Sequence, residues 1–139
     1  MSSLIYPMAA MVVLSFLVVA RLFFMRFSMV RSGEADPRYF KTYQDGSEPE
    51  RAAQLARHFA NLFESPVLFY AGCLAAMFTG LSGTTIVTVA WVYVALRLCH
   101  AFIHTGANQL YPRIFFYFSS WVALLTLWGL IVVRVSPGL

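Results

Sequence analysis

Acid is scarce in this sequence. Six Asp and Glu stand against ten Lys and Arg in 139 residues, and charged side chains are only 12% of the total. Hydrophobic residues make up 60%, and mean hydropathy is +0.70. A water-soluble domain of this size cannot hide so much apolar surface, so that class is excluded. Cysteine is equally sparse. Cys73 and Cys99 both fall in apolar runs and have no paired spacing. That excludes a disulfide framework or a cysteine metal site and leaves them as small core residues. The only aspartates, Asp36 and Asp45, lie in one polar stretch, so no Ser-His-Asp set is available within the apolar runs. The net charge of +4 does not point to nucleic acid. Basic residues gather near the ends of apolar runs, with no basic run interleaved with aromatics, so no nucleic-acid partner is expected. The leading MSSLIYPMAAMVVLSFLVVARLF has no basic n-region and no clear cleavage site. Its apolar part outlasts the ~7–15 residues of a signal peptide, so a retained first helix is expected. Repeats and low-complexity tracts are absent.

What the chain does have is long apolar segments. They run from about Leu4 to Met29, Ala52 to Leu81, Thr84 to Ala107 and Pro112 to Val135. Each exceeds the ~20 residues that cross about 30 Å of hydrocarbon. Backbone amides in lipid must be paired within their own segment, so the spans should be helices. The expected fold is all-α, one integral membrane domain over residues 1–139 built as a four-helix bundle. The second and third spans are joined by Ser82-Gly83-Thr84-Thr85, which allows only an antiparallel hairpin. The polar stretch 31–51 carries Gly33, Pro37, Gly46 and Pro49 and should be a surface loop. Its Tyr39, Phe40 and Tyr43 suit the headgroup level. Arg31, Arg38, Lys41 and Arg51 flank or fill this loop, Arg113 follows the 108–112 connection, and the opposite side has Arg134. The positive-inside rule then makes both loops cytoplasmic and puts both termini outside.

Polar residues within the spans share one depth. Arg57, Asn61 and Glu64 follow i, i+4, i+7 on one face of the second span. Arg97, His100 and His104 follow i, i+3, i+7 on the third, and Asn108 extends that face if the helix continues. Arg113 and Tyr117 open the fourth, and Arg21 and Arg26 approach from the first. A charge at the bilayer centre costs about 2.5–3.5 kcal/mol even on a lenient insertion scale, and such groups face the protein interior or a wet cavity. A structural network is one reading: Glu64 pairs with Arg57 or Arg97 and Asn61 bonds across helices. The count argues for more. Glu64 is the sole acid among the spans, while Arg57, Arg97 and Arg113 share its level, and the surplus invites an anion. His58 lies off the Arg57 face and is expected to be structural, reaching the interface. His100 and His104 are spaced to share a metal, but no Cys or carboxylate partner has convincing spacing, so no metal site is expected.

The run R57-x-x-x-N61-x-x-E64, in a second span after a polar loop, resembles the signature of the MAPEG family, the membrane-associated proteins in eicosanoid and glutathione metabolism. R97-x-x-H100-x-x-x-H104, followed by Arg113 and Tyr117, resembles it too. The stretches NLFESPVLFY and IHTGANQLYPR are most similar to bacterial members of undefined function. The similarity covers nearly the whole chain. It implies a homotrimer in a bacterial inner membrane, with glutathione held between subunits and open to the cytoplasm. It implies that Arg57, Asn61, Glu64 and Arg97 bind or support glutathione, with His100 and His104 on the same face. It also implies that Arg113 is catalytic and stabilises the thiolate, that Tyr117 lines the site, and that Arg26 joins from the first helix. His104 stands where several eukaryotic members have tyrosine. Pro66 follows Glu64 by two residues where many members have three, and Ile114 follows Arg113 where some place serine.

The expected function is therefore that of a glutathione-dependent transferase or peroxidase acting on lipophilic electrophiles. The alternative is a non-catalytic lipid- or anion-binding membrane protein whose polar cluster is a ligand cradle or trimer lock. The expected partners are membrane lipids, a small lipophilic substrate or ligand, and further copies of the chain.

Overall fold

The computed structural model describes residues 2–44, 46 and 48–136. After a 3₁₀ turn at Ser2–Leu4, α1 spans Ile5–Ser32, α2 is the short Tyr39–Thr42, and α3 covers Glu50–Asn61. Then come α4 at Ser65–Phe78, α5 at Thr84–Thr105 and α6 at Leu110–Val135. Helix accounts for 82% of the described residues, which contain no strand. Four helical stretches, Ile5–Ser32, Glu50–Phe78, Thr84–Thr105 and Leu110–Val135, are long and apolar enough to cross a membrane. The chain is an integral membrane protein built as a four-helix bundle.

The second span departs from the continuous helix expected over 52–81. It breaks between α3 and α4, at Leu62–Glu64. Pro66 is the cause, because its ring lacks an N–H and collides with the carbonyl four residues back. The chain tightens before it: Leu62 N–H donates to Phe59 O at 3.1 Å and Phe63 N–H to Ala60 O at 2.9 Å. Freed carbonyls need partners at this depth. The Asn61 carbonyl finds one in Arg97, whose Nη2 donates to it at 3.0 Å.

α5 is the hub, packed against α1, α3 and most extensively α6, while α4 lies on α6 and α1. The core far from the loop is apolar. Met11, Phe69, Cys73, Ala90, Tyr93 and Leu127 are fully buried there, and Phe69 stacks on Tyr93 with ring centroids 4.4 Å apart. Gly72 lets α4 and α6 close together, since a Cβ there would lie 2.5 Å from Leu127 Cδ2. Trp128 fastens the same pair by donating from Nε1 to Leu68 O at 3.2 Å. At the other end α1 stops at Gly33, whose φ of +80° suits glycine and whose N–H caps the Val30 carbonyl.

Tyr39, Phe40 and Tyr43 pack edge-to-face. Arg26 pins them to α1, with its guanidinium 5.2 Å from the Phe40 ring centroid and its Nε 2.6 Å from Glu48 Oε1. Asp45 lies outside the described residues.

Candidate functional site

The loop end of the bundle is polar inside. α3, α5 and α6 converge there on a cavity of about 420 Å³. Arg57 and Asn61 line it from α3, His100 and His104 from α5, and Arg113 and Tyr117 from α6. That volume lies within the range of about 300–1,000 Å³ common for small-ligand sites. Six of the residues singled out by sequence thus surround one space.

The other three take different places. Glu64 is exposed beside this space and accepts a hydrogen bond from Tyr117 Oη at 3.2 Å. It makes no ion pair with Arg57 or Arg97; among the described residues the one ion pair is Arg26–Glu48. Arg97 is 0% exposed and sits behind the wall, its guanidinium 5.9 Å from the Tyr117 ring centroid. Its Nε and Nη1 are buried without a hydrogen-bond partner. Arg26 is not brought to the cavity, because Glu48 and the aromatic loop engage it.

Three residues outside the expected set complete the arrangement. His58 is 0% exposed, turned inward rather than toward the interface. The buried stripe of α3 is Ala52, Leu55 and His58, so the helix rotates His58 into the bundle with its apolar neighbours. That apolar stripe was the available signal. Its ring centroid lies 5.5 Å from that of His100 and 5.0 Å from that of His104. Asn108 lies past the end of α5, with φ +50°, and accepts from Arg113 Nη1 at 2.7 Å. Gln54 donates to the His104 carbonyl and ties α3 to the end of α5. His100 Nδ1 is 3.0 Å from the Arg113 carbonyl. A carbonyl only accepts, so Nδ1 carries the proton and Nε2 the lone pair.

Arg57 and Arg113 are the charged groups lining this cavity, and no carboxylate is among its lining residues. Guanidinium forks match carboxylate or phosphate oxygens, so the lining is chemically suited to an anion. A larger groove of about 630 Å³ beside α1 and α5 is different in kind. Leu14, Leu17, Val18, Leu98 and Phe102 give it an apolar lining, with Arg21 at its polar end. Arg21 itself donates to Thr105 Oγ1 at 3.2 Å.

None of the curated proteins matches the chain. A sequence model of the MAPEG family matches residues 4–133, which takes in the first three spans, all but the last two residues of the fourth, and every residue of the cavity. The bundle, the polar pocket at its loop end and this match give one answer: the chain belongs to the MAPEG family.

Proposed function

We propose that the cavity binds glutathione and that the protein is a glutathione-dependent transferase or peroxidase for lipophilic electrophiles, working in the cytoplasmic half of the bilayer as a homotrimer. The observation that carries this reading is the acid-free cavity lined by Arg57 and Arg113 in a chain of this family. Glutathione has two carboxylates, an ammonium and a thiol. Arg57 and Asn61 suit a carboxylate, through guanidinium and amide donors. Arg97, with two unpartnered nitrogens behind the wall, adds positive potential. Glu64, at the same level and already bonded to Tyr117, suits the ammonium.

Arg113 would act on sulfur. A guanidinium beside a thiol favours the thiolate, which is the nucleophile. Asn108 holds the Arg113 head by one nitrogen and leaves the rest of the fork free to face the cavity. In a transfer reaction the thiolate forms a carbon–sulfur bond to the electrophile. The displaced group leaves with the electron pair, or, in an addition, a carbon takes up a proton. His104 on the same wall is placed to carry protons or to donate a hydrogen bond. The electrophile would arrive sideways from the lipid.

The non-catalytic reading also draws on an observation. Arg57 and Arg113, backed by the buried Arg97, would suit anions in general, and nothing in the lining is specific to sulfur. Calorimetric titration into protein in nanodiscs tests both. Glutathione should bind saturably, and its diethyl ester and the Arg57→Ala variant should each weaken binding about tenfold or more, as losing a charge-assisted hydrogen bond does. Equal affinity for the ester would remove the arginine–carboxylate role. Binding without thiol consumption at any protein concentration, across a panel of electrophiles, would favour the cradle over the enzyme.

A further inference from the structure

We propose that His58, His100 and His104 form a binding site for a borderline divalent metal ion such as zinc, with an open fourth position toward the arginine-lined cavity. This does not rest on the glutathione reading.

The geometry comes first. The three imidazoles come from two packed helices, α3 and α5, and stand in a near-equilateral triangle. Their ring centroids are 5.5, 5.0 and 5.4 Å apart. A histidine bound through nitrogen at about 2.05 Å puts its ring centroid roughly 3.2 Å from the ion, and tetrahedral directions then separate centroids by about 5.2 Å. The rings already occupy that spacing. One nitrogen from each lies within 4.8 Å of the others. Rotation about χ2, a soft torsion for histidine, draws them toward the edges of about 3.3 Å that a tetrahedron requires.

Hydrogen bonding supplies the second, independent observation. Histidine in a core normally has its ring nitrogens satisfied. Here all three rings are at least 95% buried, and both nitrogens of His58, Nε2 of His100 and Nδ1 of His104 have no partner. Each ring therefore keeps at least one nitrogen without a hydrogen-bond partner. His100 is further prepared. Its Nδ1–H bond to the Arg113 carbonyl leaves the Nε2 lone pair for a metal, the outer-shell support that histidine ligands usually have.

Donor chemistry selects the ion. Three imidazoles with no carboxylate suit zinc, cobalt, nickel or copper, not magnesium or calcium. Three protein ligands and an open position are the pattern of a reactive rather than a purely structural zinc site. His100 and His104 also line the cavity, so that position faces it. Arg57, Arg97 and Arg113 carry charge of the same sign as the ion. They weaken binding of the bare dication and favour an anion, such as hydroxide or a thiolate, as fourth ligand.

Cobalt titration of the full chain tests the proposal, with no polyhistidine tag, stripped by chelator and held in lipid nanodiscs. Co²⁺ should saturate at one ion per chain with the intense visible absorption of four-coordinate cobalt, and Zn²⁺ should displace it. His58→Phe keeps an aromatic ring in the buried position and removes the ligand. It should weaken Co²⁺ binding by more than the ~10–100-fold that losing an outer-shell partner costs. His104→Gln should do the same if His58→Phe does not fold. A weak six-coordinate spectrum, or affinity unchanged within threefold in whichever variants fold, would overturn the site.

Discussion

The two ends of this bundle solve the problem of filling a membrane interior differently. Far from the loop, α4, α5 and α6 close on Phe69, Cys73, Ala90, Tyr93 and Leu127, and Gly72 brings backbones close enough for van der Waals contact to hold them. The one buried hydroxyl pair there satisfies itself: Ser65 Oγ and Tyr93 Oη are 2.9 Å apart. At the loop end Arg97, His58, His100 and His104 are just as buried, yet six of their nitrogens have no partner. In hydrocarbon an unpaired polar group is costly. One end is therefore built for stability, and the other holds polar groups at a cost in stability, which is what a ligand site requires.

That contrast should divide the effects of substitutions. The largest belongs to Arg113→Ala, expected to lower glutathione turnover about 10²–10³-fold, the loss seen when one preorganised donor to a developing anion is removed. Its thermal unfolding should move little; a collapse of the fold instead would make Arg113 a structural residue. Next is Gly72→Ala at the apolar end. The added methyl meets Leu127, and overpacking of this kind costs about 1–3 kcal/mol. Unfolding in detergent should report the loss, with glutathione affinity preserved in the protein that remains folded. Tyr117→Phe removes the bond to Glu64 and should weaken ligand binding about threefold to tenfold, the net worth of a typical single hydrogen bond. Arg26→Ala should have the smallest effect on binding, under about twofold. Glu48 and the loop rings hold its guanidinium away from the cavity. Faster proteolysis within the 33–49 stretch would be its signature, and a large loss of affinity would return Arg26 to the site.

The spans and the polar face could be read from the sequence because both are local signals. An apolar run of sufficient length is a helix in lipid, and residues at i, i+3, i+4 and i+7 share a face. That logic brought Arg57, Asn61, His100, His104, Arg113 and Tyr117 to one cavity. It failed where the answer lies between segments. His58 is off the Arg57 face of α3, and only the packing of α3 on α5 shows that its ring meets His100 and His104. Arg26 looks like another converging base until the loop folds back and Glu48 engages it. The break at Leu62–Glu64 had a local signal in Pro66, but hydropathy continues through it, and the length of the apolar run hid the interruption.

Thiol activation at the loop end is the part of the proposed function open to the most direct test. The direct measurement is ultraviolet absorbance of bound thiolate as glutathione is titrated into the protein in lipid nanodiscs, beside Arg113→Ala. The wild-type chain should give a saturable thiolate signal that is lost in the variant. No signal from folded wild-type protein, or an equal signal in Arg113→Ala, would contradict it.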